Sequence, residues 1–480
     1  MKELNRKNAQ ANQYPERIIQ FGDGNFLRGF VEWIVWKMNQ QLDFNSSIVV
    51  VKPRKNGSVE VLNAQDGLYH LNLQGIDNGL EVDTIEPIDV ITRGLNPYHD
   101  YRSYLELAAN PDMRFVFSNT TEAGIIFDPA CKLEDAPASS FPGKLTQLLF
   151  HRFQIFQGAL DKGLLIFPCE LIFHNGEKLK ECIEQYISLW ALGDEFKLWF
   201  DTACGVYSTL VDRIVPGFPK DTISEIEQKT QFKDQLVVKA EIYHLWVIEA
   251  PVAVANEFPA DKAGLNVLFV PSEKPYHERK VTLLNAPHTA LSAVGYLCGL
   301  DTVREIVEHE VMGEFVKKLM FNELLSTLNH PKAELERYGN AILDRFRNPF
   351  VKHYVTSIML NSFAKYKARI LPALKIYTES TDQLPSALVL GLAGILTYYK
   401  GGKRDEQEIV PNDDAVIITF MTEVWSLADI DKVAPLVLGA TFIWDEDLTQ
   451  INGLTDKLAE YLTSIQEIGM LETVKGVLAE

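Results

Sequence analysis

RIIQFGDGNFLRGF, residues 17 to 30, is the stretch on which the fold turns. An apolar run, RIIQF, meets Gly22 and Gly24 and passes at once into the helical-looking FLRGFVEWIVWKMNQQL. A strand, a tight glycine turn and a helix in that order form the first βα unit of a dinucleotide-binding fold. The first glycine permits the turn and the second lets backbone amides approach a pyrophosphate. The helix then presents the positive end of its dipole to that anion. Gly22 and Gly24 fit those two places, while Leu27 stands where the third glycine of the usual fingerprint belongs. An ordinary turn is the competing reading of a GxG, and the flanking strand and helix are what weigh against it.

An acid about 20 residues further on commonly binds the adenine ribose. Here the strand SSIVVV runs into KPRKNG, so Lys52 and Arg54 occupy that region. Basic residues there suit a ribose phosphate, or form a solvated loop. NAD and NADP both stay open on this evidence.

Working outward, SSIVVVKP (46–53), MRFVFSNTT (113–121) and GLLIFPCELI (163–172) read as further buried strands, rich in β-branched and aromatic residues. Strands alternating with helices indicate βαβ units and a parallel sheet. YHLWVIEAP (243–251) and LNVLFVPS (265–272) are two more strand candidates. From about Lys280 the texture changes, and segments such as REIVEHEVMGEFVKKLMFNELLSTL and ALVLGLAGILTYYK carry apolar residues at helical spacing. The expected architecture is α/β: an N-terminal Rossmann-like dinucleotide-binding domain over 1–276, then an all-helical C-terminal domain over 277–480 that carries substrate and catalytic groups.

Composition narrows the partners. A net charge of −19 argues against nucleic acid or an anionic membrane surface as the main partner. Five scattered cysteines with no CxxC pair suit reduced thiols better than a disulfide framework or a zinc site. The start MKELNRKNAQANQYPE lacks the apolar core of a signal peptide, and no run of about 18 apolar residues occurs. A cytoplasmic enzyme without a membrane anchor is the expectation, its oligomeric state open. An acidic protein that binds an anionic small molecule needs a locally basic pocket.

KVTLLNAPH, residues 280 to 288, sets Lys280, Asn285 and His288 in an apolar context. A dehydrogenase moves a hydride and a proton; the cofactor takes the first, and the protein must handle the second. A desolvated lysine can serve as acid or base, and Asn285 and His288, at i and i+3, share a face if the segment is helical. Pro287 either kinks that helix or marks its first turn. By spacing alone, a surface lysine, a capping asparagine and a packed histidine explain the segment equally well.

KxxxxNxxH at the junction of a GxG-containing α/β domain and a helical domain resembles the mannitol dehydrogenase family of long-chain polyol dehydrogenases. AQDGLY (64–69), RFVFSNTTEAGI (114–125), LLIFPCELI (164–172), STLVDRIVPG (208–217) and RFRNPF (345–350) extend the resemblance, in order, over most of the chain. Within that family they resemble members that interconvert a keto-uronate, tagaturonate, with the aldonate altronate. The resemblance implies Lys280 as general acid or base, with Asn285 and His288 hydrogen-bonding the reacting oxygen. It implies an NAD cofactor (NADP stays open), and no metal. The cofactor segment carries over as Ile18, Ile19, Gln20, Phe21, Gly22, Asp23, Gly24, Asn25, Phe26, Leu27, Arg28 and Gly29. Asn119 and Thr121 are expected toward the nicotinamide ribose, or as a helix cap. Asp212 matches a family acid near substrate, or forms an ion pair with Arg213 or another base.

One departure stands out. Polyol-oxidising relatives have an asparagine after the Cys-acid pair, whereas Cys169-Glu170 is followed here by Leu171, with Glu170 and His174 as candidate replacements. The basic pocket is sought in RFRNPFVKH, where Arg345, Arg347, Lys352 and His353 gather positive charge. Arg345 or Arg347 is expected to clamp a sugar-acid carboxylate through its planar fork. Fructuronate with mannonate, and fructose with mannitol, are alternative substrate pairs in the same family. A catalytically silent dinucleotide-binding sensor is the alternative from another class.

Overall fold

Every strand of the first sheet runs the same way. In the computed structural model, which describes residues 1–77, 79–121, 123–427 and 429–480, Glu122 of the 114–125 motif lies outside those residues. Backbone proximity divides the chain into two units, Met1–Gly75 with Glu81–Glu273, and Ile76–Leu80 with Lys274–Glu480.

The first unit is built on β1 (Glu16–Phe21), β2 (Ser47–Val51), β3 (Ile91–Leu95), β4 (Phe115–Ser118), β5 (Leu165–Pro168) and β6 (Gly205–Val206). Among the described residues they pair in the order β3-β2-β1-β4-β5-β6, all parallel. That is the dinucleotide-binding order, in which the chain reverses direction across the sheet between β1 and β4. The strands read as continuous apolar runs because both faces are covered. Ile18, Val50, Phe117 and Phe167 join one core with α1 (Val31–Leu42), whereas Ile19, Phe21, Val49 and Ile166 join another. The second core is closed by the helices Phe141–Ile155, Asn175–Leu189 and Asp194–Ala203.

The segments around 243–251 and 265–272 form strands, but not in this sheet. Leu245–Glu249 pairs with Thr209–Asp212 on one side and Val267–Val270 on the other, in a separate three-stranded sheet. The segment 163–172 is strand only as far as Pro168. The helix expected after the glycine turn is broken: Asn25–Arg28 forms one turn, and α1 starts at Val31.

Over Lys274–Glu480 the second unit is helical among the described residues, apart from a small hairpin of Lys403–Arg404 against Gln407–Glu408. Its opening stretch is one continuous helical run of three pieces. α2 (Lys274–Lys280) passes into a π-helical segment, Val281–Asn285, and that into α3 (Ala286–Leu297). α4 (Lys332–Phe346) and α5 (Ser362–Arg369) both pack on the π segment, and α5 packs on α3 as well. α6 (Ser386–Tyr399) is buried almost all round and lies close against α3. A Cβ on Gly391 would stand 3.0 Å from the Cβ of Ala290, which is how closely the two backbones approach.

Candidate active site

The parallel register brings the ends of four strands level. Phe21 lies beside Val51 and Ser118, and Ser118 beside Pro168, so Gly22, Lys52, Asn119 and Cys169 each begin a loop on one edge. This is the carboxyl edge at the switch point, where dinucleotide folds take their ligands.

Ile18, Ile19, Gln20 and Phe21 are buried in β1. Gly22 follows with φ of +125°, and a Cβ there would stand 2.9 Å from the Asn119 carbonyl oxygen. Only glycine meets both conditions without strain. Around Gly24, by contrast, a Cβ would meet nothing within 4 Å, so the second glycine borders open space. Leu27, in the third glycine's place, is buried under the turn. Close packing is supplied two residues later: a Cβ on Gly29 would stand 2.9 Å from the Val215 side chain.

The turn is held from below by buried polar groups. The Gln20 amide donates to the Gly22 carbonyl at 2.9 Å and to Glu32 at 2.7 Å. The Tyr69 hydroxyl, 2.7 Å from Glu32 and from the Arg28 carbonyl, completes the set. Arg28 donates to Asn25 at 2.7 Å, and Phe26 stacks on Phe30 with centroids 5.0 Å apart. A positive-φ glycine, an open second glycine and a rigid support fit a bound pyrophosphate.

Lys52 is not free to meet a ribose phosphate, because its ammonium pairs with Asp23 at 2.6 Å. Arg54 donates to the Thr121 hydroxyl at 3.1 Å, and Thr121 itself adopts φ of +83°. The Asn119 amide donates to the Cys169 carbonyl at 2.6 Å, tying β4 to β5. Among the described residues neither Asn119 nor Thr121 caps a helix.

Glu170 does not stand in for the missing asparagine. Its buried carboxyl accepts from the Thr120 N–H and hydroxyl at 2.9 Å and from Ser118 at 3.0 Å. Burial raises its pKa, against those bonds. Leu171 is 65% exposed, and His174, at φ of +55°, has its backbone N–H on Glu273 at 3.0 Å. Asp212 is buried in its strand opposite Leu245. Arg213 donates to the Glu241 and Gly29 carbonyls and lies 4.2 Å over Trp33.

In the second unit Lys280 ends α2, Asn285 ends the π segment, and His288 falls in the first turn of α3. The π segment closes through an i→i+5 bond from the Ala286 N–H to the Val281 carbonyl. Pro287 sits just beyond it, so the wide turn accommodates the residue that cannot donate its own backbone bond. Of the two expectations for Pro287, the first-turn position is the one the structure shows.

His288 is the most defined group of the three. Its ring packs 4.4 Å from Phe346 and 4.9 Å from His353, centroid to centroid. Nε2 is buried without a hydrogen-bond partner, and the backbone bond to the Leu284 carbonyl therefore belongs to Nδ1. Burial, then the charges of His353, Arg345 and Arg369, hold its pKa well below the ordinary imidazole value. His288 is thus neutral, with a bare acceptor nitrogen. Arg345 acts on this ring, whereas Arg347 is turned to Asp344 at 3.4 Å. Arg369, in α5, was not singled out in the sequence; it donates to Thr289 in α3 at 3.3 Å.

The family model for the mannitol dehydrogenase Rossmann domain matches residues 16–262, and that for the mannitol dehydrogenase C-terminal domain matches 273–466. An altronate oxidoreductase of Bacteroides thetaiotaomicron is 64% identical over 479 residues, covering 100% of both chains. Among solved structures, a substrate-free D-sorbitol dehydrogenase superposes with a TM-score of 0.80 at 23% identity, over 99% of this chain and 100% of its own. A Pseudomonas fluorescens mannitol 2-dehydrogenase, solved as a ternary complex with NAD and D-mannitol, gives 0.67 at 19% identity over 100% of both chains. No helix among the described residues is long and apolar enough to cross a membrane.

Proposed function

The chain belongs to the mannitol dehydrogenase family, and on that premise we propose that it interconverts tagaturonate with altronate, using NAD. The observation that carries the sugar-acid reading is electrostatic. The guanidinium charges of Arg345 and Arg369 both act on His288, and a cationic setting suits a substrate bearing a carboxylate. A full-length match at 64% identity to an altronate oxidoreductase supports the same substrate class, and the NAD-bound relative supports the cofactor.

NAD, when bound, supplies and accepts the hydride. The protein's part is the proton. In reduction, the Lys280 ammonium gives its proton to the ketone oxygen as negative charge develops there. In oxidation, the neutral amine takes the hydroxyl proton. The Asn285 amide donates to the same oxygen and stabilises its charge. His288 has a narrower task than simple donation: neutral, with Nδ1–H engaged, it accepts a hydrogen bond from a substrate hydroxyl at Nε2. The imidazole therefore orients a hydroxyl, and Asn285 and Lys280 stabilise the oxyanion. The turn from Ile18 to Gly29 holds the pyrophosphate, and Asp23, by neutralising Lys52, favours NAD over NADP.

The test is NAD-dependent oxidation of altronate set against mannonate and mannitol. Altronate should be preferred in kcat/KM; a preference for mannonate or mannitol would reassign the substrate within the family.

A further inference from the structure

We infer that Arg369 binds the substrate carboxylate and sets the preference for a sugar acid over a neutral polyol. This rests on the proposed function and names the residue that confers its acid specificity.

The sequence points to Arg345 and Arg347 for this task, and the structure separates Arg347 from Arg369 by what each meets. Arg347 has Asp344 within 3.4 Å. Arg279, buried in the same unit, has Glu334 within 2.6 Å and lies on Tyr276 and Tyr338. Arg404 has Asp301 at 2.9 Å. Arg369 instead donates one N–H to a neutral hydroxyl, Thr289 Oγ1, at 3.3 Å. Thr289 in turn donates to the Asn285 carbonyl at 3.0 Å, so its oxygen is free to accept. One short chain of bonds thus joins the guanidinium to the helical turn that carries Asn285 and His288.

The surroundings are short of negative charge. Burial lowers the pKa of Arg369, and no carboxylate among the described residues offsets it. Arg369 also acts on Lys365, where Asp413 is the opposing acid; Asp413 is itself engaged by the Tyr399 hydroxyl. A half-buried guanidinium without an acid partner is costly in a folded protein unless something else compensates it. A ligand carboxylate does so, and the planar fork binds it in bidentate fashion. Anchored there, a sugar acid lies along the turn that presents the His288 Nε2 and the Asn285 amide.

The experiment compares Arg369→Gln, Arg369→Lys and Thr289→Val with the wild type, measuring kcat and KM for tagaturonate and the affinity for NADH. Arg369→Gln should raise KM by about 10- to 100-fold, the loss of a charged hydrogen-bond pair, and leave NADH affinity unchanged. Arg369→Lys should recover part of that loss, since charge remains without the fork. Thr289→Val, which removes only the internal bond, should stay within a few-fold of wild type. An unchanged KM in Arg369→Gln overturns the inference. So does a Thr289→Val loss equal to that of Arg369→Gln, which marks Arg369 as a positioning residue. Should the glutamine variant fail to fold, the lysine variant decides: a raised KM at near-normal kcat supports the assignment, and wild-type KM overturns it. Wild-type enzyme that ignores tagaturonate would instead sink the proposed function itself.

Discussion

Lys280 closes an α-helix and Asn285 closes the π segment that follows it, so one wide turn separates the two residues. Five residues of α-helix would rotate them about 140° apart. The looser winding narrows that angle and brings a proton donor and an amide toward one face. π segments of this kind recur at functional sites.

Lys280→Ala should lower kcat by about 10²- to 10⁴-fold, the usual contribution of a general acid or base. NADH affinity should not change, because the glycine turn lies in the other unit. Steady-state rates and a fluorescence titration of NADH check both halves. A variant with wild-type kcat would remove Lys280 from the chemistry.

His288→Gln tests the neutral-acceptor role. With its folded pKa held well below the ordinary value of about 6.5, His288 is uncharged at neutral pH. The wild-type rate profile should therefore show no limb from this ring near 6.5. Stability has the corresponding sign: the unfolded chain takes the proton first, so stability is present above about 6.5 and lost as pH falls below it. His288→Gln should weaken that acid sensitivity in a melting series and raise KM. An unaltered pH dependence of melting would contradict the buried neutral ring.

Gly22→Ala should weaken NADH binding by about tenfold or more, from a disfavoured φ together with a methyl 2.9 Å from the Asn119 carbonyl. Gly24→Ala is the matched control, because its Cβ meets nothing in the protein. Any loss of NADH affinity there reports crowding of the cofactor alone. Equal affinity in Gly22→Ala and wild type would displace the cofactor from this turn.

Glu323 gives a stability test in the second unit. Its buried carboxylate accepts from the Ala387 and Leu388 N–H groups, at 2.8 and 2.9 Å, where α6 begins. Burial raises its pKa to about 7. The folded state holds the proton more tightly than the unfolded one, so this contribution is full below about 4.5 and is lost as pH rises through about 7. Glu323→Gln cannot titrate, and the difference in melting temperature between wild type and variant should shrink over that window. A constant difference would place the Glu323 pKa at its ordinary value.

Much of this was legible in the sequence, for identifiable reasons. β1 and its glycine turn announce themselves because a buried strand followed by Gly22 and Gly24 has few other uses. The third glycine's task fell to Gly29, outside the usual spacing, because the helix breaks there. The Lys280, Asn285 and His288 spacing was visible, but the π segment was not, since reading by helical period assumes the same turn throughout. Arg347 drew attention within RFRNPF, although Asp344, three residues earlier, was its visible partner. Arg369 carries the opposite signal: Lys365 and Tyr366, one turn before it in α5, include no acid. That pattern is legible only afterwards, because burial and the bond to Thr289 are long-range facts.

The most direct measurement is NADH oxidation by wild-type protein and Lys280→Ala with tagaturonate, fructuronate and fructose in parallel. Turnover that favours tagaturonate and collapses in the variant is the predicted result. Preference for fructuronate or fructose, or turnover that survives the loss of Lys280, would contradict it.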